Sequence, residues 1–373
     1  MRHLKKFVYY VLDFLGNQGV RTKMFRNKGA FSCARMSFRG SLLMAAIVIL
    51  LAIALYRLDF RSVVQSIGHV SAWFFLLLIV MQVGTQLIIN LSWYKIAHIV
   101  RAPITYWDML YVNCQGAIMD AITPGVKFGG EATRAVQLKK IFERNAEQLS
   151  DNVQCSGYED AASIIAMHKF FSLSILSVMV LVAVGGIAGY VPWPGHVQWL
   201  IYAGVCVYLV VFVIIFVIPH KVRALFLHAD DSGTNSRLLY VQNFVCKLLA
   251  HVSQLHKNKK TTAGLFSLSI FTWIFYPFKM YILVLQFYPD VSFAHIMGIA
   301  FAAYIVGMLP IFPGGLGGFE PTMVALLLAS TGMEVTDAVA VTIIFRFVTF
   351  WFVMLFGMVY VAVYKGCSKV KML

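Results

Sequence analysis

The sequence contains few charged residues and especially few acidic ones. Charged side chains make up 13% of the 373 residues and only 16 are aspartate or glutamate, whereas 60% are hydrophobic. Soluble domains carry roughly 25% charged residues, so this chain has too little charge to cover a surface in water. A soluble globular protein is therefore excluded, and the long apolar runs indicate a membrane protein with several transmembrane helices.

Motifs for catalysis and metal binding are also missing. The sequence has no GxxxxGK[ST] loop, no HExxH and no GxSxG, and its ten histidines show no metal-ligand spacing. Its six cysteines lie in or near apolar segments or on basic ones and suggest no disulfide framework. We therefore expect no cofactor, no metal and no catalytic residue, which favours a transporter and leaves an enzyme open.

Positive charge is concentrated at the N terminus. Nine of the 31 lysines and arginines precede residue 40, directly before the first apolar run. Such clustering marks the cytoplasmic side of a membrane protein and also attracts anionic lipid, whereas no nucleic-acid module accompanies it. We predict a basic cytoplasmic or interfacial segment at 1–40, which is either an amphipathic helix or a disordered tail, followed by an integral membrane domain at 41–373.

The apolar runs predict an all-helical fold with about six full spans. Runs long enough to cross a membrane lie at 41–56, 72–98, 161–186, 197–218, 263–288 and 337–364. The stretch 219–262 between two of them is rich in lysine and arginine, which predicts a cytoplasmic loop. Lysines also follow the last span, so we expect both termini to be cytoplasmic.

Two further apolar segments, at 105–147 and 294–331, are interrupted by glycine and proline. The interruptions read TPGVKFGGE (Thr123 to Glu131) and FPGGLGGFE (Phe312 to Glu320), and each has Pro-Gly separated by five residues from Glu. Because proline removes a backbone donor and glycine permits unusual turns, each interruption is expected to split a helix. Opposite flanking charges predict two re-entrant hairpins of opposite sense in an inverted-topology repeat; two unrelated loops are the alternative.

Charged residues inside apolar segments are the candidate site residues. Arg346 lies within a span, where an unpaired cation costs about 3 kcal/mol or more, so it needs a partner: either Glu320 or an anionic substrate. The helix starting near Gly318 would offer its N-terminal amides to an anion such as phosphate. Glu131 and Arg134 share a helix face and form either part of a site or an intrahelical pair.

Two more polar residues are candidates for the same cavity. Lys279 lies deep in an apolar run, and Asp120 directly precedes the first interruption. Both interruptions are expected to line a polar cavity, because irregular backbone at membrane depth is tolerated only where protein or a water-filled cavity surrounds it. Lys279 either faces this cavity or is structural, and Asp120 either caps the first interruption or lines the cavity.

The stretch LPIFPGGLGGFE and the following TGMEVTDAVAVTIIFRFVTFWFVMLFGMVY closely resemble the flippase-like membrane domain of the lysylphosphatidylglycerol synthase/flippase family, and ITPGVKFGGEATRAVQLKK resembles that family's other hallmark. The resemblance implies movement of polar lipids between leaflets. The residues at the matching positions would bind substrate: Thr123, Pro124, Gly129, Gly130, Glu131, Arg134, Pro313, Gly314, Gly315, Gly317, Gly318, Glu320 and Arg346.

One position departs from the family pattern. Members commonly show Glu-Arg-x-x-Asp at the start of the next span, and here the stretch reads SGYED, so Asp160 matches whereas Gly157 stands where the family has arginine. Since the sequence ends at Leu373 just after its last predicted span, we also expect no soluble aminoacyl-transferring domain, which argues against a complete lysylphosphatidylglycerol synthase.

The leading hypothesis is a multi-pass plasma-membrane flippase that binds an aminoacylated phospholipid, a glycolipid or a polyprenyl-linked carrier in a midplane cavity. One alternative is a membrane-embedded enzyme that acts on a lipid-linked sugar or phosphate. Another is a membrane partner subunit of a lipid-modifying enzyme. Membrane lipids are the expected partners, nucleic acid is not, and a homo-oligomer is left open.

Overall fold

The computed structural model describes residues 60–123, 128–146, 157–187, 195–217, 219, 236–308 and 313–370. Within those residues the regular structure is helical and contains no strand. The helices are α1 (Phe60–Gly68), α2 (Ala72–Ile99), α3 (Tyr106–Ile122), α4 (Phe128–Ala146), α5 (Tyr158–Ile187), α6 (Gly195–Val217), α7 (Ser236–Lys257), α8 (Lys259–Val284), α9 (Phe293–Gly307), α10 (Phe319–Thr331), α11 (Val335–Arg346) and α12 (Phe352–Val370).

Among the described residues, four segments are long and apolar enough to cross a membrane. They are Ala72–Ile99, Tyr158–Val182, Lys259–Val284 and Val335–Cys367. These four confirm the spans predicted at 72–98, 161–186, 263–288 and 337–364. The span predicted at 197–218 coincides with α6, whose shorter stretch Tyr202–Ile214 is apolar. The predicted span at 41–56 and the basic segment at 1–40 lie outside the described residues.

Side-chain caps fix where several helices begin. Ser71, Asn258 and Ser292 each accept a hydrogen bond from a backbone N–H in the first turn of α2, α8 and α9, respectively. Thr105 and Asp108 form a reciprocal capping box at the start of α3. These polar residues satisfy amide groups that would otherwise be unpaired at the helix ends, which is why the chain turns into a helix at these points.

The first interruption is shorter than the sequence predicted. The expectation of a non-helical Thr123 to Glu131 is wrong at its C-terminal end, because α4 begins at Phe128 and already contains Gly129, Gly130 and Glu131. The two glycines serve close packing: a Cβ at Gly129 would clash with Thr123, and one at Gly130 with Asp120. Residues 124–127, with Pro124, lie outside the described part of the chain.

The second interruption ends near Gly318, where the sequence predicts the next helix to start, but the predicted break Phe312 to Glu320 is too long by its last two residues. A short 3-10 turn covers Pro313–Gly315, a further turn follows, and α10 begins at Phe319 with Gly318 as its N-cap. Gly314 and Gly315 have φ values of 57° and 75°, a left-handed conformation that disfavours any residue with a Cβ. Residues 309–312 are not described, and the predicted membrane depth of both interruptions stays a prediction.

The packing of the helices brings the two interrupted segments together. α3 packs against α4 and α12, α9 packs against α5 and α10, and the turn at Pro313–Gly315 contacts α3. A Cβ at Gly314 would lie 3.0 Å from the carbonyl oxygen of Ala121, close to the end of α3. The end of the first broken helix and the turn of the second are therefore neighbours, which positions the site described next.

Candidate functional site

A cavity of about 360 Å³ lies between the two interrupted segments. Its walls include residues of α2, α3, α4, α5, α8 and α9, together with the turn at Gly314 and Gly315 and the region around Arg346. Among its lining residues are the predicted site residues Asp120, Glu131, Arg134, Gly314, Gly315 and Arg346. Residues predicted from both broken segments thus meet at one cavity.

Arg346 is held at one part of the cavity by the second interruption. Its Nε donates to Glu320 Oε1 at 2.6 Å, and its Nη2 donates to the carbonyl oxygen of Gly314 at 2.7 Å. The guanidinium also lies over the rings of Phe319 and Phe350, 4.8 and 4.4 Å from their centroids. The Arg346–Glu320 pair predicted from the cost of an unpaired intramembrane cation is therefore present.

The glycine-rich turn shapes this part of the site. A Cβ at Gly315 would lie 2.9 Å from the carbonyl oxygen of Gly307 and 3.4 Å from Arg346 Nη2. The N–H of Gly317 donates to Glu320 Oε2 at 2.8 Å, so both oxygens of that carboxylate are engaged. The turn thus supplies an acceptor to the arginine, a donor to the glutamate, and space for both side chains.

A π-helical turn, Phe347–Trp351, directly follows Arg346. Single π turns inside α-helices are rare and are often found at functional sites. No local pattern predicts this turn, because the segment TIIFRFVTFWFV is apolar and contains no glycine or proline. Thr349 and Phe350, both within this turn, line the cavity. The π turn therefore contributes directly to the wall next to Arg346.

Arg134 forms the center of a second cluster of ion pairs. Its Nη2 lies 3.1 Å from Asp120 Oδ2 and its Nη1 lies 3.1 Å from Glu131 Oε1, while Lys169 Nζ lies 2.7 Å from the same glutamate oxygen. The guanidinium carbon is 5.6 Å from the Trp93 ring centroid. Glu131 and Arg134 thus form the predicted intrahelical pair and also belong to a larger cluster.

Backbone contacts hold this second cluster between α3 and α4. The N–H of Gly130 donates to Asp120 Oδ1 at 3.1 Å, and a Cβ at Gly116 would clash with the side chain of Arg134. Within the described part of the chain, two buried atoms of the cluster have no hydrogen-bond partner, Arg134 Nε and Glu131 Oε2. The hydrogen bonding of the cluster is therefore incomplete. Each buried polar atom without a partner costs about 1–3 kcal/mol, so a ligand that supplied the missing partners would be favoured.

Sequence reasoning missed two parts of the second cluster. Lys169 lies only a few residues after the charged start of a span, a position typical of lysines that extend to the membrane interface, yet it pairs with Glu131 and lines the cavity. His168 also lines the cavity and stacks on Trp93, with ring centroids 4.2 Å apart. Only the packing of α4 on α5 brings these residues to the site, and no local sequence signal reports it.

Lys279 lies behind the cavity wall. Its side chain is completely buried, and its Nζ donates to Gln82 Oε1 and, at 3.1 Å, to Thr85 Oγ1. Gln82 and Thr85 line the cavity, whereas Lys279 does not. The expectation that Lys279 lines the cavity is therefore wrong in detail, because two polar side chains of α2 stand between the amine and the open space.

The other predicted residues lie around the site or apart from it. Thr123 ends α3 and donates to the carbonyl oxygen of Met119 at 2.7 Å. Asp160 is buried at the start of α5, where it accepts from the N–H of Gly157 at 3.4 Å and lies 3.8 Å from Lys247. Predicted residues outside the cavity lining, besides Lys279, are Thr123, Gly129, Gly130, Asp160, Pro313, Gly317, Gly318 and Glu320.

The ionisable groups of the two clusters balance in charge. Three are cationic and three are anionic, and each takes part in at least one ion pair: Arg134, Lys169, Arg346, Asp120, Glu131 and Glu320. The formal sum is 3 − 3 = 0. The clusters can therefore exchange partners with a ligand that carries both signs or with phosphate, but they offer no surplus charge.

Comparison with known proteins identifies relatives along most of the chain. The family model described as the lysylphosphatidylglycerol synthase TM region matches residues 40–357. A UPF0104 membrane protein of Methanothermobacter thermautotrophicus is 21% identical over 341 residues, which cover 86% of this chain and 94% of that protein. One from Pyrococcus horikoshii is 24% identical over 323 residues, covering 83% and 92%.

A third relative agrees with these two. A UPF0104 membrane protein of Methanocaldococcus jannaschii is 21% identical over 328 residues, covering 83% of this chain and 90% of that protein. These identities are low but extend over nearly the whole of each relative, and the family match includes both interrupted segments. The chain therefore belongs to the family of the lysylphosphatidylglycerol synthase TM region.

Proposed function

We propose that this protein moves a phosphate-bearing polar lipid between the leaflets of a membrane and holds the headgroup in the cavity between the two broken segments. One observation carries the proposal: two arginines and a lysine from separate helices converge on one cavity in a chain dominated by apolar residues. Ionisable residues within membrane segments are costly and usually mark a substrate path.

The chemistry of the cavity suits a lipid headgroup. Guanidinium groups such as those of Arg134 and Arg346 bind phosphate through paired hydrogen bonds. The neighbouring carboxylates of Asp120 and Glu131 can accept from an ammonium or hydroxyl group of the same headgroup. A volume of about 360 Å³ is at the small end of ligand pockets, which are roughly 300–1,000 Å³, and so fits a headgroup rather than a whole lipid.

Acyl chains would remain outside the cavity. Large apolar side chains are exposed on the described helices, among them Trp73, Val80, Trp199 and Val359. Such a surface is unfavourable in water and favourable in hydrocarbon. The headgroup of such a lipid would contact the charged groups of the cavity, and its acyl chains would contact the exposed apolar side chains.

The finer topology is part of the same proposal. We infer about six full spans, two re-entrant hairpins of opposite sense related as an inverted repeat, both termini in the cytoplasm and a location in the plasma membrane. The proximity of Gly314 to Ala121 supports a meeting of the two hairpins, and the matching Pro-Gly-x5-Glu spacing supports the repeat. The family name, which refers to a phospholipid-modifying synthase, supports the lipid class.

Reconstitution of the full chain in lipid vesicles tests the function. We expect vesicles that contain the protein to bring tail-labelled phosphatidylglycerol, lysylphosphatidylglycerol or undecaprenyl phosphate to the outer leaflet, where a membrane-impermeant quencher removes its fluorescence, faster than protein-free vesicles do. Vesicles with the Glu143→Gln variant, altered at an exposed ion pair, serve as a matched control. No acceleration with any of these lipids would refute the proposal.

The same protein in detergent distinguishes the alternatives. A membrane-embedded enzyme would convert its lipid in micelles, where there are no two leaflets, and mass analysis would detect the product. A flippase leaves the lipid chemically unchanged. Conversion in detergent without movement in vesicles would therefore favour the enzyme, and neither activity would favour a partner subunit.

A further inference from the structure

The amine of Lys279 is buried without a counter-charge. Its side chain has no solvent exposure, and within the described residues no carboxylate oxygen lies within ion-pair distance of Nζ. Its hydrogen-bond acceptors are the neutral side chains of Gln82 and Thr85. The Tyr276 ring centroid lies 6.0 Å away. A buried cation without a partner is strongly unfavourable.

Hydrogen-bond counting favours the uncharged amine in this conformation. An ammonium group has three N–H donors, whereas the described surroundings provide two acceptors, Gln82 Oε1 and Thr85 Oγ1. The hydroxyl of Thr85 donates onward to the carbonyl oxygen of Met81 at 2.8 Å, so its oxygen is free to accept. A neutral amine has two N–H donors, and these two acceptors satisfy both.

The helices packed on α8 bring other ionisable groups, but none is paired with Lys279. α8 packs against α2, α5, α7, α9 and α11. Their described ionisable side chains, together with those on α8 itself, are Tyr94, Lys95, His98, Tyr158, Glu159, Asp160, His168, Lys169, Lys247, His251, His295, Tyr304, Asp337, Arg346, Lys259, Lys260, Tyr276 and Tyr281. The carboxylates among them that form ion pairs, Glu159 and Asp160, do so with Lys247.

The cavity beside Lys279 needs one more positive charge when an anion enters. The six ionisable groups of the two clusters sum to zero, as shown above, so a phosphate adds an uncompensated negative charge in a poorly screened environment. Gln82 and Thr85 separate Lys279 from this cavity by a single layer of side chains. Unlike Arg134, Lys169 and Arg346, Lys279 is not engaged by a carboxylate of the described residues, so a charge gained on its amine would not be cancelled by a neighbouring anion.

We propose that Lys279 binds one proton when a lipid phosphate occupies the cavity and releases it when the lipid leaves, so that each translocated anionic lipid carries one proton with it. On uptake, water in the cavity gives a proton to the Thr85 hydroxyl, which lines the cavity, and Thr85 passes its own proton to the lone pair of Nζ 3.1 Å away, so one O–H bond breaks as the N–H bond forms. On release that bond breaks, the electron pair stays on nitrogen, and the proton returns to water. The inference rests on the proposed function and adds its energy source.

The coupling has a quantitative signature at equilibrium. An anionic lipid with one negative charge moves together with one proton as a neutral unit, so the pH gradient alone drives its distribution. One pH unit corresponds to a tenfold change in an equilibrium. We therefore expect labelled phosphatidylglycerol to accumulate about tenfold, per unit of pH difference, in the leaflet that faces the alkaline compartment.

The experiment uses full-length protein in phosphatidylcholine vesicles with a trace of tail-labelled phosphatidylglycerol and an imposed difference of one pH unit. Protein-free vesicles correct for passive movement. Lys279→Met, which cannot bind a proton, and Lys279→Arg, which cannot release one, should each abolish the accumulation. Lys260→Met, the same change at an exposed position of the same helix, should accumulate lipid as the wild type does. Gel filtration of each variant verifies folding.

Three results would overturn the inference, and they separate it from the proposed function. Wild-type protein that moves the lipid but leaves it evenly distributed refutes the coupling and preserves the flippase. Tenfold accumulation by either Lys279 variant refutes the role of Lys279. Wild-type protein that moves no labelled phosphatidylglycerol refutes the coupling for this lipid, and the wider panel of lipids described above then decides the fate of the flippase.

Discussion

Replacement of Arg346 and Glu320, singly and together, tests whether this ion pair binds substrate or only holds the fold. The guanidinium makes a 2.6 Å hydrogen bond to Glu320, a 2.7 Å hydrogen bond to the Gly314 carbonyl, and contacts with two aromatic rings. Loss of one partner of a buried pair costs about 3–5 kcal/mol, because the other charge stays buried and unpaired. We expect Arg346→Gln and Glu320→Gln each to destabilise the protein by about this amount.

The double replacement gives the decisive comparison. Since two neutral side chains leave no unpaired charge, the double variant should recover most of the stability that either single variant loses. Its transport should not recover, because the cavity then lacks one of the two arginines expected to hold phosphate. Unfolding in detergent measures the stability of each variant, and lipid movement in vesicles measures its transport.

An exposed ion pair provides the control for this cycle. Lys139 and Glu143 are one turn apart on α4, their charged atoms lie 3.3 Å apart, and their side chains are 31% and 50% exposed. The same cycle there should give a coupling of about 0.5 kcal/mol or less and unchanged transport. If transport returned in the Arg346→Gln/Glu320→Gln protein, the substrate-binding role would be refuted and the pair would be structural.

Three further predictions concern the close packing at Gly130, the hydrogen bond from Tyr364 to Asp108 and the membrane side on which Cys367 lies. In Gly130→Ala the added Cβ would clash with the carboxylate of Asp120, so unfolding in detergent should show a stability lower by about 1–3 kcal/mol. In the control Gly204→Ala the added Cβ meets nothing within 4 Å, so the stability should change by less than about 1 kcal/mol. Equal stabilities of the two variants would contradict the packing. Tyr364→Phe removes the hydroxyl that donates to Asp108 and should lower the same stability by about 1–3 kcal/mol with transport unchanged; slower lipid movement would instead place this contact in the transport cycle. A protein whose single cysteine is Cys367 should resist an impermeant reagent in intact cells, and labelling there would reverse the predicted orientation.

The sequence predicts a contact most reliably where a charged residue lies inside an apolar run, because leaving that charge unpaired in the membrane costs free energy. Arg346 inside an apolar run had to be neutralised, and Glu320, the carboxylate at the start of the helix after the second interruption, was the natural candidate, so the Arg346–Glu320 pair could be predicted from the sequence alone. The four long apolar helices could also be predicted, because a continuous apolar run of about 20 residues is the length that a helix needs to cross a membrane. The free-energy cost of placing a residue in the membrane depends on that residue and its neighbours in the chain, so it can be read from the sequence.

Features that depend on packing between helices could not be predicted in this way. The glycines of the first interruption predicted unwinding, but Gly129 and Gly130 are helical and allow α4 to approach α3. Glycine is compatible with both a turn and a close contact, and only the neighbouring helix decides between them. Lys169 was missed for a similar reason, since its partner Glu131 lies on a different helix.

The internal pairing of the site favours a carrier over a tight binder. A phosphate that enters the cavity meets arginines whose donors already hold Glu320, Asp120, Glu131 and the Gly314 carbonyl. Apart from Arg134 Nε, which has no hydrogen-bond partner among the described residues, the phosphate therefore competes with carboxylates that make charge-assisted hydrogen bonds similar to its own, so most of the gross attraction cancels. Weak net binding shortens the time for which each headgroup is held, and a transporter needs this because a substrate must leave as readily as it enters. Replacing Glu131 or Asp120 with a neutral residue removes the competitor, so tighter binding of phosphate with slower lipid turnover is the expected consequence of this arrangement.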